Sequence, residues 1–281
     1  MLNLEKTANL LRQDVIRMTA AAASGHPGGS LSSADIVAAL YFQVMNHRPA
    51  EPKWPQRDRF ILSKGHCAPV LYAALARSGY FPAEDLLNLR KIDCHLQGHP
   101  DMHKTTGVEI SSGSLGQGLS ISIGMALATR LDSLPGHIFT LLGDGESQEG
   151  QVWEAAMAAA QYRLDNLTAI IDVNGLQIDG HTRDVMNVEP LAAKYEAFGW
   201  TSRDIDGHDL EQVIDSLQWS RTVAGPVAIV ARTVKGKGVS FMENEAGWHG
   251  KAPSPEQERQ ALAELNAQAE ALAGEPAEAS N

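Results

Sequence analysis

Residues 4 to 22 place Leu4, Leu11, Val15 and Met18 at helical spacing, and Gly25-His26-Pro27-Gly28-Gly29 then interrupts the pattern. A second helix is predicted with Ser32 or Ser33 as cap, running through Ile36, Val37, Leu40 and Tyr41. Arg59 to Leu62 reads as a short strand that ends on Ser63-Lys64-Gly65-His66, with an Ala-rich helix following to about Arg77. Residues 93 to 114 are rich in Gly, His and Ser and show little periodicity, which predicts a functional loop. Leu115 to Leu131 reads as a helix with Gly116 and Gly118 near its start.

From there strands and helices alternate. His137 to Leu142, Leu167 to Asp172, Trp200 to Ile205 and Pro226 to Ala231 read as strands, separated by helices over Gln148 to Tyr162, Pro190 to Phe198 and Asp209 to Trp219. Such a series predicts an α/β fold: a mostly parallel sheet with helices on both faces, right-handed crossovers and ligand sites at the carboxyl ends of strands. The chain has no internal repeat. Residues 1 to 252 are expected to form one domain, and residues 253 to 281 a C-terminal acidic surface helix that frays into a disordered end at Gly274-Glu275-Pro276.

Composition narrows the class. With 281 residues, 43% of them hydrophobic, the chain can bury one sizeable core. A formal charge of -11 argues against nucleic acid as a partner, since a basic face is needed for the phosphate backbone. Residues 251 to 281 hold six acidic and two basic side chains, so the rest is only mildly acidic and can still receive an anionic ligand through a metal or helix N-termini. The first residues are polar and helical in pattern, and no apolar run reaches membrane-spanning length, so a soluble cytoplasmic protein is expected, with no membrane partner. Cys67 and Cys94 have no metal-type spacing, and Cys67 is expected as a small buried hydrophobe.

The candidate chemistry lies in Leu141-Leu142-Gly143-Asp144-Gly145-Glu146, followed by Ile170-Ile171-Asp172-Val173-Asn174. A strand ending on Gly-Asp-Gly and a second ending on Asn suit a divalent cation held against a diphosphate: Asp144 offers a carboxylate oxygen and Asn174 an amide oxygen, both hard ligands. Alone, Gly143-Asp144-Gly145 is equally an ordinary turn. Four histidine segments add weight: Ser24-Gly25-His26-Pro27, Ser63-Lys64-Gly65-His66, Gln97-Gly98-His99-Pro100 and Trp248-His249-Gly250. Each histidine sits beside Gly or Pro in a loop, where a side chain can face a cleft or simply solvent.

Taken together these motifs resemble the amino-terminal, diphosphate-binding half of transketolase, from the first helix to Lys251. The resemblance implies thiamine diphosphate bound through Mg²⁺, for which Ca²⁺ or Mn²⁺ can substitute, with Asp144, Asn174 and the Leu176 carbonyl as metal ligands. It implies that Gly145 lets the backbone approach the phosphates, that His66 and His249 contact the diphosphate, and that Gly113, Ser114 and Leu115 lie beside the cofactor rings. Glu149 resembles the acidic residue that links two cofactor sites across a dimer. His26, His66, His99 and His249 resemble the cluster that contacts sugar hydroxyls and shuttles protons, work that a near-neutral pKa suits. The implied activity is transfer of a two-carbon ketol unit from a ketose to an aldose. Gly236-Lys237-Gly238-Val239-Ser240-Phe241-Met242-Glu243-Asn244 also matches the family.

Two departures matter. Ser114 stands where the family often has Pro, and the pyrimidine-binding half, with its activating glutamate and most of its phosphate-binding arginines, has no counterpart here. A split transketolase is therefore expected: its partner is a separate C-terminal, pyrimidine-binding subunit, with which it forms a heterotetramer. Sugar phosphates are the default substrates, and a sulfonate terminus is an alternative anion. The segments around His26, His66 and His99 disfavour the alpha subunit of a thiamine-dependent 2-oxo acid dehydrogenase, and the retained motif residues disfavour a noncatalytic binding protein.

Overall fold

Four apolar runs and one polar edge strand pair in register as one parallel sheet: β1 (Arg59–Leu62), β2 (Ile138–Gly143), β3 (Leu167–Val173), β6 (Thr201–Asp206) and β7 (Val227–Arg232), in the order β1-β2-β3-β7-β6. The computed structural model describes residues 3–274. Strands sandwiched on both faces must be apolar on both, which is why β2 and β3 read as continuous hydrophobic runs. Phe60, Phe139, Leu141, Ile170 and Ile229 face one core, while Ile61, Ile138, Leu142, Ile171 and Val230 face the other. The edge strand β6 is largely exposed and carries Arg203, Asp204 and Asp206, charges that blunt an open edge.

Helices cover both faces. The first core is closed by α1 (Leu4–Ala22), α2 (Pro27–Ser32), α3 (Ala34–Ala39), α4 (Ala68–Arg77) and α9 (Leu210–Ser220), the second by α5 (Gln117–Leu131), α6 (Gly150–Gln161) and α8 (Leu191–Ala197). A hairpin of β4 (Leu176–Gln177) and β5 (Gly180–His181), followed by the short α7 (Thr182–Val185), sits over the carboxyl edge of the sheet. The sequence pattern does not predict this hairpin. No helix among the described residues is long and apolar enough to cross a membrane.

Two boundaries differ from expectation. The expected helix is present as α3, with Ser33 at its N-cap, but a further short helix precedes it from Pro27, because proline's missing N–H is no loss in the first helical turn. The apparent breaker Pro27-Gly28-Gly29 is therefore itself helical, and α3 runs on into a π turn over Leu40–Val44. The helix expected from Leu115 starts at Gln117, since Gly116 takes φ 81° and ends the preceding loop.

The last helix, α10 (Pro255–Gly274), lies against α1 with Ala261 and Leu265 wholly buried. Asn9 Nδ2 donates to the Leu265 carbonyl at 3.0 Å. On its other side, Glu264 accepts from the Ser240 amide (2.7 Å) and hydroxyl (2.8 Å), and Gln268 Nε2 donates to the Gly238 carbonyl at 2.9 Å. The expected disordered end lies outside the described residues from Glu275 onward. Cys67 is buried, and burial pushes its thiol pKa up, as suits a packing residue.

This packing can be tested at two positions. Leu265→Ala removes the anchor of α10 and is expected to cost about 2–5 kcal/mol in chemical denaturation, the range for a wholly buried leucine. His137 is buried with Nε2 at 2.8 Å from Thr168 Oγ1, and burial followed by the nearby Arg221 lowers its pKa to about 3. The unfolded chain takes up this proton near pH 6.5 and the folded chain does not, so this contribution to stability is present above pH 6.5 and is lost as pH falls toward 3. His137→Gln keeps a partner for Thr168 without titrating, and denaturation across that window is expected to show a shallower decline than wild type.

Candidate functional site at the carboxyl edge of the sheet

Every strand of the sheet ends beside a polar residue that faces the same edge. Lys64 follows β1, Asp144 follows β2, Asn174 follows β3, Thr233 to Lys235 follow β7, and His208 follows β6. A cleft of about 230 Å³ opens there, lined by Asp144, Gly145, Glu149, Asn174, Leu176, Leu115, His66 and His249, together with Lys64 and Lys235. Eight of the residues singled out in the sequence thus meet in one place.

Asp144 is 2% exposed. Its Oδ1 accepts from the Gly145 amide at 2.9 Å, and Oδ2 accepts from the Gly175 amide at 2.9 Å and Thr182 Oγ1 at 3.1 Å. Burial, then the neighbouring Asp172, raises its pKa to about 6. No cationic side chain pairs with it among the described residues, so a bound cation is the natural complement to this carboxylate. Asn174 is held by Nδ2 donating to Asp172 Oδ2 at 3.1 Å, while its Oδ1 accepts from the Leu176 amide at 3.2 Å. These bonds fix which end of the amide is oxygen, and Asn174 and Leu176 line the same cleft as Asp144. The three can hold a divalent cation. A Cβ on Gly145 would stand 3.3 Å from Gln177 Cβ, so the β4–β5 hairpin closes tightly over this turn.

The opposite charge is equally uncompensated. Lys235 is 1% exposed, and the only hydrogen-bond partner of its Nζ among the described residues is His249 Nδ1 at 3.3 Å. Burial pushes its pKa down, the mark of a cation short of counter-charge. Room for it is made by Gly28, whose Cβ would stand 3.2 Å from both Cγ and Cε of the lysine. A lone buried carboxylate and a lone buried ammonium on one cleft fit a divalent cation together with an anionic group such as a diphosphate.

Beside the cleft the four histidines form a cluster. His26 has ring centroids 5.5 Å from His66, 5.9 Å from His99 and 5.6 Å from His249, and His66 stacks on His249 at 4.9 Å. Arg90 ties two of their loops together, donating to Ser24 Oγ at 2.9 Å, to the Gly98 carbonyl at 3.3 Å and to His26 Nδ1 at 3.4 Å. The near-neutral pKa expected from residue type does not survive this setting. Burial, then Arg90, lowers His26 to about 4; burial, then Lys235, lowers His249 to about 4; His66 and His99 are lowered too, by burial first. All four are neutral imidazoles at neutral pH, each with one N–H to donate and one lone pair to accept. Gly113 packs on His99, a Cβ there standing 3.1 Å from the ring. Ser114 is exposed and does not line the cleft.

Sequence reasoning does not single out Lys64, Asp172, Glu146 or Lys235. Glu146 is buried, accepting from the Gly116 amide at 2.9 Å, the Gly143 amide at 3.0 Å and Ser63 Oγ, so it clamps the start of α5 to the ends of β1 and β2. The available signal is a charged residue directly at the end of an apolar strand, which Asp172 and Lys64 both show.

Residues 4–270 match the family described as transketolase, thiamine diphosphate binding domain. The chain is 46% identical over 265 residues to the 6-deoxy-6-sulfo-D-fructose transketolase subunit SqwG of Clostridium sp. (strain MSTE9), covering 94% of this chain and 96% of that one. It is 42% identical to one of the subunits of the apulose-4-phosphate transketolase of Actinobacillus succinogenes, covering 93% of this chain and 95% of that one. Among solved structures, transketolase of Campylobacter jejuni superposes with a TM-score of 0.89 at 35% identity, covering 95% of this chain and 43% of that one. The chain thus spans less than half of the transketolase of known structure and nearly the whole of the two subunits. With the parallel sheet, the carboxyl-edge cleft and the histidine cluster in place, the chain belongs to the transketolase family, as its thiamine diphosphate-binding part.

Proposed function

We propose that this chain is the diphosphate-binding subunit of a split transketolase, which moves a two-carbon ketol unit from a ketose to an aldose. The observation that carries the reading is the pair of uncompensated buried charges, Asp144 and Lys235, on one cleft. Thiamine diphosphate supplies, when bound, the nucleophilic carbon that makes and breaks the bond to the two-carbon unit. Asp144, Asn174 and the Leu176 carbonyl hold Mg²⁺, with hard oxygen donors that Ca²⁺ or Mn²⁺ also accepts. Lys235, His66 and His249 bind the diphosphate, Gly145 admits it close to the backbone, and Leu115, with Gly113 behind it on His99, borders the rings.

The histidines act on the sugar. Since His26 Nδ1 faces the Arg90 guanidinium and His249 Nδ1 faces the Lys235 ammonium, both must accept there, and the proton of each ring lies on Nε2. Each Nε2–H is thereby a donor to sugar hydroxyl or carbonyl oxygens. Neutral His99 offers a lone pair that can take a hydroxyl proton. Glu149 lines the cleft and is the residue we place at the contact between two cofactor sites.

A second, pyrimidine-binding polypeptide completes the site, in a heterotetramer of two chains of each kind. The relatives named as transketolase subunits, matched along nearly their whole length, support this reading. The substrates in their names, a sulfosugar and a sugar phosphate, support a ketose with an anionic end as donor.

The purified chain, alone and mixed with its candidate partner, is to be tested by light scattering and a ketol-transfer assay. Activity is expected only from the mixture, and full activity from the chain alone overturns the split reading. Asp144→Ala in the mixture is expected to abolish Mg²⁺-dependent cofactor binding in calorimetry while the protein stays folded; unchanged affinity removes Asp144 from the metal site.

A further inference from the structure

Lys235 does not hold its own position. It lies in the turn Thr233-Val234-Lys235-Gly236 after β7, and main-chain bonds secure that turn at both ends: the Thr233 amide donates to the Val173 carbonyl at 3.1 Å, and the Gly236 amide to the Gly28 carbonyl at 2.9 Å. Between them the Val234 amide points away from the cleft and donates to His208 Nε2 at 2.8 Å. Behind His208 stands a carboxylate: Nδ1 is 2.7 Å from Asp35 Oδ2. Asp35 is in turn paired with Arg12, through Nη1 to Oδ1 at 3.1 Å and through a second contact from Nη2. Burial alone raises the Asp35 pKa, but Arg12 and His208 outweigh it and hold the carboxyl below its usual range.

These contacts leave one protonation pattern. An ionised carboxylate only accepts, so His208 Nδ1 carries the proton. The Val234 amide only donates, so Nε2 must carry a lone pair. The ring is thus fixed as the neutral Nδ1–H tautomer by partners on both sides, in the same manner that a carboxylate orients a working histidine in other sites. The chain Arg12–Asp35–His208–Val234 runs from α1 through α3 and the β6–α9 turn to the residue before Lys235.

We propose that His208 is a positioning residue for anion binding: locked by Asp35, it grips the Val234 amide and thereby aims the buried Lys235 ammonium into the cleft. The proposal rests on the diphosphate reading of that cleft. Without the grip, the Val234 amide loses its partly buried partner and the turn that carries Lys235 relaxes.

The test uses the full chain, with magnesium pyrophosphate as probe in titration calorimetry and amide hydrogen exchange across residues 233 to 236. His208→Leu removes both contacts. His208→Gln keeps them, since its amide oxygen can accept from Val234 and its amide nitrogen can donate to Asp35. His208→Leu is expected to weaken pyrophosphate binding about fivefold to tenfold, the scale of one hydrogen bond lost, and to speed Val234 exchange, with His208→Gln restoring both. In a Lys235→Met background, His208→Leu is expected to add less than about twofold, because the positioned group is already gone. Equal losses in the two backgrounds, or Val234 exchange unchanged in His208→Leu, overturn the inference. A wild-type chain that binds no magnesium pyrophosphate overturns the diphosphate reading instead, while the exchange measurement still decides whether His208 tethers the turn.

Discussion

One buried ion pair fixes the geometry on which the cleft depends. Asp172 at the end of β3 is wholly buried and accepts from Lys64 Nζ, from Ser32 Oγ at 2.7 Å, from Asn174 Nδ2 at 3.1 Å and from Thr233 Oγ1. Burial alone would raise its pKa; the adjacent Lys64 outweighs that and holds it ionised. One carboxylate thus ties the ends of β1, β3 and β7 to the segment after β3 and to α2. A buried charge is tolerable only when its partners are all in place, and removing one partner from such a pair costs about 3–5 kcal/mol. Because Lys64 and Asp172 neutralise each other, and Glu146 spends its oxygens on Ser63 and the Gly116 and Gly143 amides, Asp144 and Lys235 are the charges left for a ligand. Because Asn174 spends its NH₂ on Asp172, its oxygen is the end left for a metal.

The central strands are legible in the sequence because a strand covered on both faces carries no charged position until near its end. β1 spans Arg59 to Leu62 as its pattern predicts, and the other strands agree to within a residue at each end. Asp144 is legible for the same reason, as the first polar side chain after a long apolar run, and Asn174 by its place just past the end of the next one. What is not legible depends on neighbours distant in sequence. Pro27-Gly28-Gly29 reads locally as a breaker, yet it is helical, and Gly28 there leaves room for Lys235 and the Trp248 carbonyl to pack close. Lys235 itself looks like any solvated lysine before a glycine-rich turn. Only the folded chain shows that it is buried without a carboxylate.

The histidines carry the same lesson into chemistry. Residue type alone gives each a pKa near neutral, which suits proton shuttling. In the fold, Arg90, Lys64 and Lys235 stand around them, and four rings packed this closely cannot all hold a charge. The cluster is therefore a set of directed donors and acceptors whose roles are assigned by the cations behind them, and sequence carries no record of those cations' positions.

The contact of α1 with α10 has a further consequence for how the molecule is made. Asn9 donates to the carbonyl of Leu265, 256 residues away, and Leu11 and Val15 share a core with Ala261 and Leu265. A nascent chain leaving the ribosome therefore carries α1 with one face unsatisfied until the last helix has emerged, and the parallel sheet between them adds further pairings between distant segments. Loop closure on that scale must precede the contacts that reward it. During synthesis the face of α1 that meets α10 stays open to wrong partners until that helix has emerged.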